Sequence, residues 1–345
     1  MNMMDSKTPL LPSNTRSTIP DVDPHTSSVE DTSFLGIESS TSSVCWGNSD
    51  SWEKVTSEFT APSSIYNGLD VEQKASRYIN FQSGEANVLV DESIEETTIR
   101  FDMAFQNPED QDFIEIRKEE RAEGILRLVV DVKHPVPEHI CMKLDITVTL
   151  SSAGILDTLS IEAPNEAVTV HGEHNPVFFN ILALSTANGR ITTTESVTGG
   201  KVIFSTANGE IIAKGLTGND VTLSTANGNV DVEIDTLSGN LVGSTANGKI
   251  AVNVAAITGT SSKVQLSTAN GKIAATLPDS FESSFDINSV IGKVSVESIN
   301  HPEKIHFKEH HNALHMSGYY GDIDKKTENR VEVSSVVGGS SIVFA

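Results

Sequence analysis

Three carboxylates alternate in Asp231-Val-Glu233-Ile-Asp235, and five of the ten histidines fall between His301 and His315. Carboxylates in pairs can flank a glycosidic bond, and in clusters they can hold a hard cation. Histidines in threes or fours can bind zinc. Neither set completes a site. In an extended strand Asp231, Glu233 and Asp235 share one side. The matching positions before them are Thr192 and Thr194, and those after are Ala251 and Asn253, so no second carboxylate is expected to face them. His301, His306, His310, His311 and His315 have no spacing that a strand or loop would fold into a tetrahedron. Ile305 and Phe307 alternate with His306, which puts that ring outward. The expectation is a protein without catalytic residues, cofactor or metal, and hence not an enzyme.

A second candidate is electrostatic. Arg190, Glu210, Asn229, Lys249, Lys272 and Lys293 each follow a glycine of a recurring motif. Stacked, they would form a partly basic column, with Arg190, Lys249, Lys272 and Lys293 as a possible binding face. The chain as a whole is acidic, with net charge −23 from 47 acidic and 24 basic residues. That balance argues against nucleic acid and anionic lipid as partners, since both select basic surfaces.

The element that must position these residues is a repeat. Ser-Thr-Ala-Asn-Gly occurs five times, with Asn188, Asn208, Asn227, Asn247 and Asn270. A period near 20 residues marks a stacked architecture. Apolar residues stand four and six positions before each Asn, as Leu182/Leu184, Val202/Phe204, Val221/Leu223, Leu241/Gly243 and Val264/Leu266. Ile191, Ile211, Val230, Ile250 and Ile273 resume the pattern three positions after it. Each period therefore reads as strand, Asn-Gly corner, strand, Gly corner, since Asn and Gly both tolerate positive φ and let the chain turn sharply. Repetition of the whole five-residue string favours a parallel coil over hairpins. Its five Asn would form an amide ladder. Degenerate copies extend the register to Val148–Gly154, with Ile291, Tyr320 and Val337 in the Asn column of later copies.

Residues 1–60 are rich in Ser, Thr, Pro and Asp and read as a disordered tail. Residues 61–145 read as an N-terminal β cap, and residues 146–345 as the solenoid. No apolar run approaches the roughly 20 residues of a membrane helix, and the N-terminus lacks a signal-peptide core. Cys45 and Cys141 suggest no disulfide framework, and no Asn-x-Ser/Thr acceptor occurs. Together these favour a cytoplasmic site, with the cell surface as the other option.

The pattern aliphatic-x-Leu-Ser-Thr-Ala-Asn-Gly-x-Ile resembles the adhesin-like DUF4097 β-solenoid family of bacteria and fungi, over about residues 75–345. The Ser/Thr-rich tail resembles fungal members. The resemblance implies an all-β, right-handed single-strand parallel β-helix with an adhesive or scaffolding role and no catalytic residues. The expected function is a non-enzymatic binding scaffold, here a monomer, that offers an extended surface to a protein or glycan. A cell-surface adhesin and a carbohydrate-active β-helix are the alternatives.

Overall fold

Two parallel walls of stacked strands run the length of the coil, and the chain crosses between them at corners. The computed structural model describes residues 45, 47–76, 78–135, 139–151, 156–172, 177–308, 312–324 and 327–345. The protein is nearly all β, as the repeat predicts.

The first wall holds the strand before each Asn-Gly corner. It runs from Gly68–Gln73 through Thr158–Glu162, Val177–Thr186 and Val197–Thr206. It continues through the later parts of Ile211–Thr225 and Val230–Asn247 to Lys263–Asn270. The second wall holds the strand after the corner, from Glu85–Asp91 through Ala167–Val170 and Ile191–Thr193 to Ile250–Ile257 and Ile273–Leu277. All these pairings are parallel, so like residues stack. Leu159, Leu182, Val202, Val221, Leu241 and Val264 form one inward column, each at most 1% exposed. Gly243 interrupts the neighbouring column, and Leu266 reaches into the space a methyl group there would need.

The rung order departs from the chain order at the far end. Arg330–Val337 and Ser340–Phe344, the last strands of the chain, lie against Lys263–Asn270 and Ile273–Leu277. Their other edge receives Ser283–Ile291 and Val294–Ser298. The C-terminal rung is thus inserted between two rungs that are consecutive in sequence.

Several expectations need correction. His315–Tyr320 is not a parallel rung. It pairs antiparallel with Ser283–Ile291, and Ile305–Phe307 adds antiparallel to it. Tyr320 is therefore outside the Asn column. It points inward, fully buried, stacked on Phe344 at 3.8 Å between ring centroids. Val148 belongs to the second wall opposite Val88, and residues 152–155 of that degenerate copy lie outside the described residues.

Strand Glu53–Ala61 pairs antiparallel with Thr97–Phe105, so order begins inside the segment whose composition reads as disordered. Trp52 supplies the missing anchor, packed with Ala104 and Cys141. Cys45 and Cys141 are bonded to each other, with Cα atoms 5.6 Å apart. The sequence gives no hint of this pairing because 96 residues separate the two. Residues 1–44 and Trp46 lie outside the described residues.

Within 61–145, Gly68–Gln73 and Glu85–Asp91 stack in parallel on the next rung of the coil. Ile125–Val132 and Ile140–Ser151 continue the two walls in parallel on their other side, and antiparallel strands Ile114–Arg121 and Thr97–Phe105 are added beyond these.

Candidate functional site

The Ser-Thr-Ala-Asn-Gly corner divides its work by position. The threonine is buried: Thr186, Thr206, Thr225, Thr245 and Thr268 are 4–6% exposed. Its hydroxyl donates to a carbonyl of the rung below. Thr206 reaches the Gly189 carbonyl at 3.0 Å, Thr225 that of Gly209 at 2.9 Å, and Thr245 that of Gly228 at 3.0 Å. The Thr186 and Thr206 hydroxyls also accept from the Gly189 and Gly209 N–H groups, each at 3.0 Å. One small side chain thus satisfies backbone groups that the corner withdraws from water.

Glycine is required by close approach. A Cβ on Gly209, Gly228, Gly248 or Gly271 would lie 1.7–1.9 Å from the carbonyl oxygen of the glycine one rung below. None of these four uses the positive φ that Asn-Gly tolerates; Gly338 does.

The asparagines make the expected ladder. Each Nδ2 donates to the Oδ1 of the rung below at 2.8–2.9 Å, from Asn270 through Asn247, Asn227 and Asn208 to Asn188. The ladder goes one rung further than the repeat suggests, because Asn188 donates to Asn165 at 2.8 Å. The signal was present: Leu159 and Ile161 precede Asn165 by six and four residues, and Val168 follows by three. Glu166 in place of glycine hid it. All five repeat asparagines are exposed, so the ladder lies in water and not in the core.

Glu166 is fully buried. Its side chain turns to Gln73, the last residue of Gly68–Gln73, while Gly84 lies beneath the corner and accepts from the Ala167 N–H at 3.1 Å. With its amide nitrogen turned toward the carboxylate, Gln73 donates to both Glu166 oxygens at 2.9 and 2.6 Å. The Asn165 N–H donates at 3.0 Å. Burial pushes the Glu166 carboxyl up to about 7.

Above Asn270 the ridge changes character. Val337 stacks on Asn270 and Ile291 on Val337, as the degenerate copies predicted. Val336 and Val290 take the alanine column. All four aliphatics are exposed.

The basic column runs, in space, Arg190, Glu210, Asn229, Lys249, Lys272, Gly339, Lys293, as successive backbone bonds show. Arg190 is paired with Glu210 at 2.9 Å, so it does not act as a free cation beside the three lysines. Asp231 faces Ile212 on the preceding rung, not Thr192, and Ala251 on the following one; Glu233 faces Asn253. His301 meets Glu303, His306 the Gly321 carbonyl, and His315 Asp286, three separate partners. His310 and His311 lie outside the described residues. Among the described residues no group of three or more His, Cys, Asp or Glu converges as metal ligands would.

An open groove of about 680 Å³ follows the corner along the coil, lined by Ser, Thr and Ala of consecutive motifs, with Glu162 and Pro164 at one end. Among the described residues no helix is long and apolar enough to cross a membrane.

The model of the Toastrack DUF4097 family matches residues 79–338, most of the chain. The chain belongs to this family. Among curated proteins, none matches the sequence. Solved structures similar to this Toastrack chain include a candidate adhesin from Parabacteroides merdae, 12% identical, covering 85% of this chain and 97% of its own, TM-score 0.43. A candidate adhesin from Bacteroides fragilis is 13% identical and covers 84% and 97%, TM-score 0.41. A candidate lipid-binding protein from Parabacteroides distasonis is 13% identical and covers 85% and 96%, TM-score 0.43. These three organisms are bacteria, so they give no support to a fungal-type member.

Proposed function

We propose that this Toastrack protein is a non-catalytic binding scaffold whose coil presents a repeated surface to an extended protein or glycan. The observation that carries the reading is the groove along the Ser-Thr-Ala-Asn-Gly corners. Exposed or half-buried alanine and serine side chains recur there on consecutive rungs, at the roughly 4.8 Å strand spacing, and among the described residues Glu162 is its one charged lining residue. Repeat surfaces of this kind suit elongated partners. The carboxylates of Asp231 and Glu233 face Ile212, Ala251 and Asn253, which speaks against a carbohydrate-active centre. The Cys45–Cys141 bond favours the cell-surface adhesin over a cytoplasmic scaffold, because disulfides persist in oxidising compartments.

Defined cell-wall oligosaccharides and extended peptides, arrayed on a surface, test the reading with the full chain and an Ala226→Arg/Ala246→Arg variant. The exposed alanines tolerate the change, so the melting temperature should hold. Capture of one ligand class by the wild type and its loss in the variant is the expected result. Equal capture by both would remove the groove as the binding surface.

A further inference from the structure

The distal end of the corner ridge combines two properties found together nowhere else along it. The first is exposed aliphatic surface. Val290 and Ile291 are each 63% exposed, Val336 49%, Val337 43% and Leu314 44%. Backbone bonds from Ser289 to Leu314 and from Val294 to Ala313 lay Leu314 across the outer side of the last corner, in line with Val337 and Ile291. The second is charge of one sign. Lys249, Lys272 and Lys293 flank these corners, all exposed. Residues 243–252, 266–277, 289–296, 312–318 and 333–345 contain no Asp or Glu. Earlier corners carry Glu162, Glu166, Glu195, Glu210 and Asp231.

We propose that this end of the ridge, with Val290, Ile291, Val336, Val337 and Leu314 at its crest and Lys249, Lys272 and Lys293 along its side, docks on the surface of an anionic bilayer. The crest lies at a corner between two walls, so it projects. A projecting apolar edge beside lysines suits a flat interface, where aliphatic groups enter the acyl boundary and ammonium groups meet headgroups. A second copy laid crest to crest would bring the lysines together, which disfavours self-association here. The net charge of −23 opposes approach to such a surface at long range. At about 0.1 M salt, screening over roughly 10 Å leaves the local lysines to decide the contact. This docking surface continues the ridge beyond the end of the Ser/Thr/Ala groove and shares no residue with its lining, so either can exist without the other.

Flotation of the full chain with vesicles tests it, using phosphatidylcholine alone and phosphatidylcholine with 30% phosphatidylglycerol. The wild type should float with the anionic vesicles and stay behind with the neutral ones. Val337→Asn/Ile291→Asn, which continues the ladder residue type and should leave the melting temperature unchanged, should cut the bound fraction about fivefold. Lys249→Glu/Lys272→Glu/Lys293→Glu should cut it at least tenfold, and Lys201→Glu on the first wall should not change it. No flotation of the folded wild type would overturn the proposal. So would flotation that ignores both ridge variants, or loss of flotation only on unfolding. Capture of an acidic amphipathic peptide without vesicle binding would reassign the surface to a protein partner.

Discussion

The corner ridge is polar and bonded to itself from Asn165 to Asn270, and aliphatic and unbonded at Val337 and Ile291. The close approach beneath persists in both stretches: a Cβ on Gly338 would lie 1.7 Å from the Gly271 carbonyl oxygen and one on Gly292 1.9 Å from that of Gly338, although Gly338 has positive φ and the earlier corner glycines do not. Ser289 donates to the Gly338 carbonyl at 2.8 Å, as the threonines do lower down. The buried Thr or Ser and the close-packed glycine therefore hold the coil, and the residue at the crest is free to vary with what the surface meets.

The largest effect expected from this contrast is at glycine. Gly228→Ala places a methyl group within 1.8 Å of the Gly209 carbonyl, and the rungs must separate. A loss of about 4 kcal/mol or more, or failure to fold, is expected by chemical denaturation. At the aliphatic end, Gly339→Ala meets the Lys293 carbonyl at 3.1 Å and should cost roughly 1 kcal/mol or less. Equal costs would mean that the close approach is not what selects glycine.

The next effect is a pH dependence at the start of the ridge. Glu166 titrates near 7 in the folded protein, against 4.5 for an ordinary glutamate. The folded state holds its proton longer, so the contribution is full below about pH 4.5 and is lost as pH rises through 7. The loss approaches about 3 kcal/mol. Gln73, the Asn165 N–H and Asp145 are the groups that set this titration, with burial as the main cause. Unfolding measured from pH 4 to 8 should show the decline in the wild type and a flatter curve in Glu166→Gln. Parallel curves would remove Glu166 as the source.

Thr225→Val keeps the shape but removes the donor to the buried Gly209 carbonyl, and should cost about 1–3 kcal/mol. Asn227→Ala removes two exposed ladder bonds and should cost under about 1 kcal/mol. A costlier Asn227 than Thr225 would reverse the assignment of crest and keystone.

The stacking was legible because period and motif repeat together, and even Ile291 and Val337 could be placed in their column. The role of Thr was not, because a buried hydroxyl and an exposed one look alike in a string of five small residues. Asn165 was obscured by Glu166, which stands where the later copies have glycine and finds its partner in Gln73, 93 residues earlier in the chain. The inserted C-terminal rung follows from contacts between residues 67 apart, such as Asn270 and Val337, where no local pattern encodes which neighbour wins. The free lysines at the distal end were named from the sequence. What sets them apart from Arg190 is the ion pair with Glu210, visible only once the rungs are stacked.

The central claim is the order of the ridge, Asn270 then Val337 then Ile291, since it creates both the aliphatic crest and its lysine flank. Neighbouring rungs stand about 4.8 Å apart and alternate ones about 10 Å, while a disulfide spans Cα atoms about 4.4–6.8 Å apart. Peptide mapping after mild oxidation of Asn270→Cys/Val337→Cys and of Asn270→Cys/Ile291→Cys, each with Cys45 and Cys141 kept, measures that order directly. Rapid cross-linking in the first variant and little in the second is the predicted result. Efficient cross-linking of Cys at 270 to Cys at 291, with none to 337, would contradict the inserted rung and the crest built on it.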